Sequence, residues 1–155
     1  MKRIALFVDV QNIYYTTRQA YGRQFNYRKL WELIAKEGEI CIANAYAIQR
    51  AEESQLRFQD ALRHIGFTIK LKPYIQRRDG SAKGDWDVGI TLDVMDAAAD
   101  VDQVVLLSGD GDFDLLMQRI GKQVETVVVG VPTLTANSLV DSVDRFIPIE
   151  EALLL

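Results

Sequence analysis

Two unbroken apolar runs, IALFV at 4–8 and VVLLS at 104–108, constrain this chain more than any other feature. Neither alternates between apolar and polar positions. A run of that kind suits a strand in the middle of a parallel sheet, covered by helices on both faces. Each run stops abruptly. Asp9-Val10-Gln11-Asn12 follows the first, and Gly109-Asp110-Gly111-Asp112 follows the second. Acidic groups therefore stand where a strand gives way to a helix, and in open α/β sheets ligands bind at that carboxyl edge.

The remaining pattern alternates. Helical spacing is read over 13–20, 27–36 (with Asn26 as N-cap), 52–65, 86–99, 113–120 and 136–143. Strands are read over 39–48, 67–71, 124–129 and 146–149, and loops over 73–84 and 130–135. Strands taking turns with helices imply an α/β fold: a three-layer α/β/α sandwich around a mostly parallel central sheet. Right-handed crossovers then gather the strand carboxyl ends at one edge, which brings Asp9 and Asp110 together. With no repeat and no linker, one domain over 1–150 is expected, with a tail over 151–155. The leucines at the end of that tail are read as exposed, and docking or a contact surface are both open for them.

Composition narrows the function. The 155 residues carry a formal net charge of -4, so whole-molecule attraction to nucleic acid is not expected, while a local patch is allowed. His64 is the only histidine and Cys41 the only cysteine. This argues against His-rich zinc sites, a Ser-His-Asp triad and an intrachain disulfide framework. Cys41 is expected as a buried, reduced thiol. No stretch has the length of a signal peptide or a membrane span, and a cytoplasmic location follows by default.

Asp110, Asp112 and Asp114 are three carboxylates in five residues, more than one helix cap requires. Packed carboxylates repel, and a divalent cation relieves them. Asp87 joins them from the first turn of its helix. On a helical wheel at about 100° per residue, Thr91, Val94 and Ala98 share its side. Asp93, Asp96 and Asp100 fall opposite and read as a solvated face. Asp85 reads as that helix's cap. Asn12 faces the same sheet edge, either as a turn residue or as a neutral partner to the acids. Asp114 reads equally well as surface. Ser108 is placed to hydrogen-bond a water or phosphate, or simply ends its strand. Asn137 and Ser138 open the last helix, as caps or as part of the site. Hard oxygen ligands of this kind suit Mg²⁺ or Mn²⁺ and the hydrolysis of phosphodiesters, with water as nucleophile.

The segment 70–83 carries five cations (Lys70, Lys72, Arg77, Arg78 and Lys83) against Asp79 alone, a net of +4. With Tyr74 for stacking, it is read as an RNA-binding loop feeding the helix of Asp87. Lys83 lies nearest Asp87 in sequence and is expected to reach the scissile phosphate. Arg18 and Arg23 are further candidates for the groove.

The segments FVDVQNIYY, KGDWDVGITLDVMDAA, LLSGDGDFDLL and NSLVDSVDRFIPIE resemble, in order, those of the NYN domain family, LabA-like branch, within the PIN-like nuclease superfamily. The resemblance implies a PIN-like fold, a divalent metal and ribonuclease activity. It carries Asp9, Asp87 and Asp110 over as core carboxylates, with Asp112 fourth and Asn12 as partner. Asp93 also occupies a motif position, though the wheel sets it apart. The expected function is a Mg²⁺- or Mn²⁺-dependent ribonuclease acting on RNA. The alternative is a non-catalytic RNA-binding or regulatory module on the same fold. No membrane partner is expected, and a homo-oligomer is left open. A haloacid-dehalogenase-type phosphatase needs a second Asp where this chain has Gln11. A Toprim-like site typically starts with Glu where this chain has Asp9.

Overall fold

The computed structural model describes residues 1–49, 52–73, 75–76, 82–83 and 85–155. In chain order the elements are β1 (Arg3–Asp9), α1 (Val10–Tyr21), α2 (Tyr27–Ala35), β2 (Glu39–Gln49), α3 (Glu53–Ile65), β3 (Thr68–Pro73), β4 (Ile75–Gln76), β5 (Ala82–Lys83), α4 (Asp87–Ala98), β6 (Gln103–Leu107), α5 (Asp114–Ile120), β7 (Glu125–Gly130), α6 (Asn137–Val140) and β8 (Arg145–Pro148). Six strands form one sheet in the order β3-β2-β1-β6-β7-β8, and every neighbouring pair is parallel. This is the α/β architecture expected from the alternating pattern, with helices on both faces.

The two apolar runs lie side by side at the centre, in register from Ile4 opposite Gln103 to Val8 opposite Leu107. The pleat sends alternate side chains to opposite faces, so such a strand must be apolar throughout. Ile4, Leu6 and Val8 join Ile13 of α1, Leu30 and Ile34 of α2 and Leu62 of α3 in one core. Ala5 and Phe7 join Ile90 and Val94 of α4, Met117 and Ile120 of α5 and Leu139 of α6 in the other. Pro73 ends β3, an edge strand, where the missing N–H costs the sheet no interior bond.

Topology fixes where a ligand goes. From β1 the chain runs outward through β2 to β3, then returns to pair β6 with the other side of β1 and continues to β7 and β8. The direction of winding thus reverses between β1 and β6, and the crevice beyond their carboxyl ends is the switch point of the sheet. Asp9 closes β1, and Ser108-Gly109-Asp110 follows β6 directly.

Several local expectations need correction. The segment 73–84, expected as a loop, holds the short antiparallel pair β4–β5, with Ile75 opposite Lys83 and Gln76 opposite Ala82. The last helix is four residues long, not eight, because Asp141 already caps it and the chain turns to bring Asp144 onto Thr126, whose N–H donates to its carboxylate at 2.9 Å. Cys41 is half-buried rather than buried, with its thiol against the Glu39 carbonyl. The tail docks: Leu153 and Leu154 are buried, and Leu153 offers its carbonyl to the Asn26 N–H at 2.8 Å. Leu155 keeps its side chain exposed while its N–H donates to the Gln24 carbonyl. Among the described residues, no helix is long and apolar enough to cross a membrane.

Candidate metal centre

The site is built at the end of β6. Ser108 is fully buried there, and its hydroxyl works in two directions. It donates to Asp9 Oδ2 at 3.1 Å and accepts the Asp110 backbone N–H at 3.1 Å. One small side chain therefore ties the strand-one acid to the loop that carries the next. Asn12 adds a second tie, accepting the Gly109 N–H on Oδ1 at 2.8 Å. That bond occupies the oxygen expected to face a ligand, so Asn12 holds the loop and lines the cleft at once. Gly109 is needed where it stands, since a Cβ there would lie 2.5 Å from the Leu134 carbonyl oxygen. Its own carbonyl accepts the Ala136 N–H at 3.0 Å, which clamps the loop from the other side. Asp110 then accepts the Asp112 N–H on Oδ1 at 2.9 Å and caps the single 3₁₀ turn of Gly111–Phe113. Phe113 is buried and anchors that turn in the core.

Asp87 arrives from the opposite wall, and its position depends on how α4 begins. Trp86 packs under the first turn, with Nε1 donating to the Ala47 carbonyl of β2 at 2.9 Å. Gly89 leaves room for the indole, because a Cβ there would lie 2.6 Å from Trp86 Cε3. The Lys72 ammonium sits 4.6 Å above the same ring and donates to the Asp85 carbonyl at 3.2 Å. Six residues on from Asp87, Asp93 accepts hydrogen bonds from Lys70 Nζ and the Tyr46 hydroxyl, both at 2.7 Å. Asp93 is therefore no solvated residue. It lies on the flank of α4 that meets β2 and β3, a direction that a wheel centred on Asp87 does not resolve. Asp96 and Asp100 are exposed, as expected.

These ties bring oxygens of Asp87, Asp110 and Asp112 within 4.8 Å of one another. Asp9 lies outside that tight group and lines the same cleft, of about 260 Å³, with Gln11, Asn12, Tyr15, Thr16, Asp85, Asp87 and Asp110. Burial pushes Asp9 up to about 6, with the charges of Asp110 and Asp85 adding to it, while the Ser108 hydroxyl and the Asn12 backbone N–H pull the other way. Burial likewise pushes Asp87 up to about 7, helped by the charges of Asp110, Asp85, Asp9 and Asp112. Crowded carboxylates without a counter-charge respond in this way. Three hard oxygens at this mutual spacing match the reach of one small divalent cation, and a carboxylate set prefers Mg²⁺, Mn²⁺ or Ca²⁺ to softer metals.

Asp85 belongs to this cleft and was missed as a site residue. Its cap-like bond is real, since Oδ1 accepts the Asp87 N–H at 3.2 Å, but the residue also lines the cleft. The doubled acid in Asp85-Trp86-Asp87 was the available signal. Asp114 stands outside the tight group. Ser138 is exposed at the start of α6, beside Gly111, and does not line the described cleft.

Two cations of the basic segment take other roles. Lys70 and Lys72 are occupied in fastening α4 to the sheet. Tyr74, Arg77 and Arg78 lie outside the described residues, and Lys83 is described only as a strand residue of β5. Arg23 pairs with Glu151 and with the Leu155 carbonyl, so it holds the tail instead of lining a groove.

Similarity to other proteins agrees with this construction. Residues 3–150 match the NYN domain. The chain is 30% identical to the Low amplitude and bright protein LabA of Synechococcus elongatus, an alignment covering 96% of this chain and 84% of that protein. It superposes on the crystal structure of a Vibrio parahaemolyticus protein of unknown function with a TM-score of 0.94 and 52% sequence identity, covering 99% of this chain and 96% of the other. The NYN domain match over residues 3–150 and the 30% identity to LabA over nearly the whole chain make this chain a member of the NYN domain family, in its LabA-like branch.

Proposed function

We propose that the protein is a divalent-metal-dependent ribonuclease that hydrolyses RNA phosphodiester bonds in the acidic cleft beyond β1 and β6. The observation that carries this reading is the convergence of Asp87, Asp110 and Asp112, from two separate segments, to within 4.8 Å. Asp9 lines the same cleft as Asp87 and Asp110. Crowded carboxylates repel, and a divalent cation held between them relieves that repulsion.

Asp87, Asp110 and Asp112 would hold the cation, with Asp9 completing the acidic wall from β1. When bound, Mg²⁺ or Mn²⁺ supplies Lewis acidity toward a phosphoryl oxygen and makes a water molecule more acidic. The protein's own contribution is rigidity and placement. Ser108 and Asn12 lock the loop of Asp110 against β1. Trp86 and Lys72 lock the start of α4, and Lys70 fastens its middle through Asp93. Asp9, tied through Ser108 to the Asp110 loop and lining the same cleft, is proposed to receive a proton from an attacking water. Arg77, Arg78 and Lys83 with Tyr74 are proposed to meet the RNA backbone and bases, and Ser138 to border the path of the strand.

Incubation of a generic single-stranded RNA with Mn²⁺ tests the reading, with EDTA and Asp110→Asn as controls. Cleavage by the parent protein that both controls abolish is expected. Equal background in parent and variant overturns it, and retained RNA binding in that case assigns the protein to a binding or regulatory role.

A further inference from the structure

The outer face of α1 carries a feature that the acidic site does not use. Val10, Ile13 and Thr17 turn inward and are buried. On the other side, Tyr14 and Tyr15 stand in succession with 43% and 53% of their surface exposed. Exposing two large aromatic rings on one helical turn gains nothing for folding, since their apolar surface stays in water. Their location gives the reason. Tyr15 lies one turn beyond Gln11, on the same side of the helix, and both line the cleft of Asp9, Asp87 and Asp110.

The ring is also held in place. Arg18 donates from Nη1 to the Tyr14 hydroxyl at 3.0 Å, and its guanidinium lies 5.8 Å from the Tyr14 ring centroid. Tyr14 meets Tyr15 edge-on, with centroids 5.3 Å apart and planes at 77°. An edge contact occupies at most one face of a ring, and Tyr15 stays 53% exposed at the rim of the cleft. Arg18, a turn further along the exposed side, adds a cation on the approach to a pocket whose described walls are otherwise acidic or neutral.

From this we infer that Tyr15 is the stacking platform for a nucleobase next to the phosphate that enters the cleft, with Tyr14 and Arg18 as its support, and that the site therefore takes single-stranded RNA. The inference deepens the nuclease reading and rests on it. Every base presents a π-face, so a platform of this kind favours unpaired strands without reading their sequence. In an A-form duplex the bases are stacked inside the helix and cannot be laid on a tyrosine. The Tyr15 ring thus supplies the discrimination between paired and unpaired substrate that a carboxylate cluster, which sees only phosphate, cannot provide.

The test uses a fluorescein-labelled oligouridylate, read by anisotropy on the cleavage-blocked Asp110→Asn protein and by cleavage kinetics with Mn²⁺ on the parent. Tyr15→Ala, at an exposed position, is expected to weaken binding about tenfold or more. It is expected to raise KM with little change in kcat, the pattern of lost uniform binding. Tyr15→Trp should restore both. The same strand annealed into a duplex, or carrying abasic sites, should not distinguish Tyr15→Ala from its parent. Tyr15→Ala binding and cleaving the unpaired strand as its parent does overturns the inference while leaving the nuclease reading intact. Tyr15-dependent binding without any cleavage leaves the platform standing and removes the nuclease. No binding of the oligouridylate by either form overturns both.

Discussion

The metal-free protein should become more stable as it is acidified from about pH 8 to about pH 5.5. Two acids drive this, Asp9 at about 6 and Asp87 at about 7, against an ordinary value of 3.8. A carboxyl whose folded-state value is raised binds its proton more tightly when folded. Its stabilisation is complete below the unfolded value and disappears as pH rises through the folded one. Over this window Asp9 contributes about 0.8 kcal/mol by linkage. Asp87 is half-exposed, so its raised value is discounted for solvent screening and contributes about 1 kcal/mol. Together, about 2 kcal/mol corresponds to roughly 4–8 °C in melting temperature for a chain of this size. Asp93 and Glu125 are held low by Lys70 and Lys2, so they lose stability only in more acidic solution and do not mask the effect. Thermal denaturation in EDTA across that pH range measures it. Asp87→Asn should flatten the profile, and Mn²⁺ at the upper pH should restore the lost stability. A melting temperature that stays level or falls on acidification refutes the assignment of an uncompensated acidic cluster.

Other substitutions separate placement from chemistry. Gly109→Ala drives a Cβ onto the Leu134 carbonyl and should cost about 2 kcal/mol in chemical denaturation, with loss of Mn²⁺ affinity in calorimetry. Asp93→Ala leaves Lys70 and the Tyr46 hydroxyl without their shared acceptor; a loss of about 1–2 kcal/mol is expected, since the pair is partly exposed. Ser108→Ala removes the bond that favours ionised Asp9, so the acid limb of the RNA-cleavage profile should move to higher pH.

Much of the fold was legible because its strongest signals are local. An unbroken run such as 4–8 has few alternatives to a covered strand, and β1 is buried from Ile4 to Val8. Asn26 reads as an N-cap and is one, accepting the Lys29 N–H at 3.0 Å. The gathering of acids at one edge followed from parallel topology alone. What the sequence concealed depends on contacts between distant segments. Asp93 looks solvated on a wheel until Tyr46 and Lys70, from two different strands, are seen to reach it. Lys70 and Lys72 look like a nucleic-acid patch until α4 is found beneath them. Leu153 and Leu154 look exposed until Asn26 and Phe25 are placed against them, while Leu155 is exposed as it looks. Asp85 was absorbed by the need for a helix cap, a role that does not exclude a place in the cleft. Charge counting along a chain cannot tell a cation facing solvent from one fastening a helix, and here Lys70 and Lys72 are of the second kind.

The most direct measurement is a crystal structure of the protein soaked in Mn²⁺, read by anomalous scattering. A single strong peak within about 2.5 Å of oxygens from Asp87, Asp110 and Asp112 is the predicted result. Fully ordered carboxylates with no peak between them, at Mn²⁺ concentrations that saturate carboxylate sites in other proteins, would contradict it.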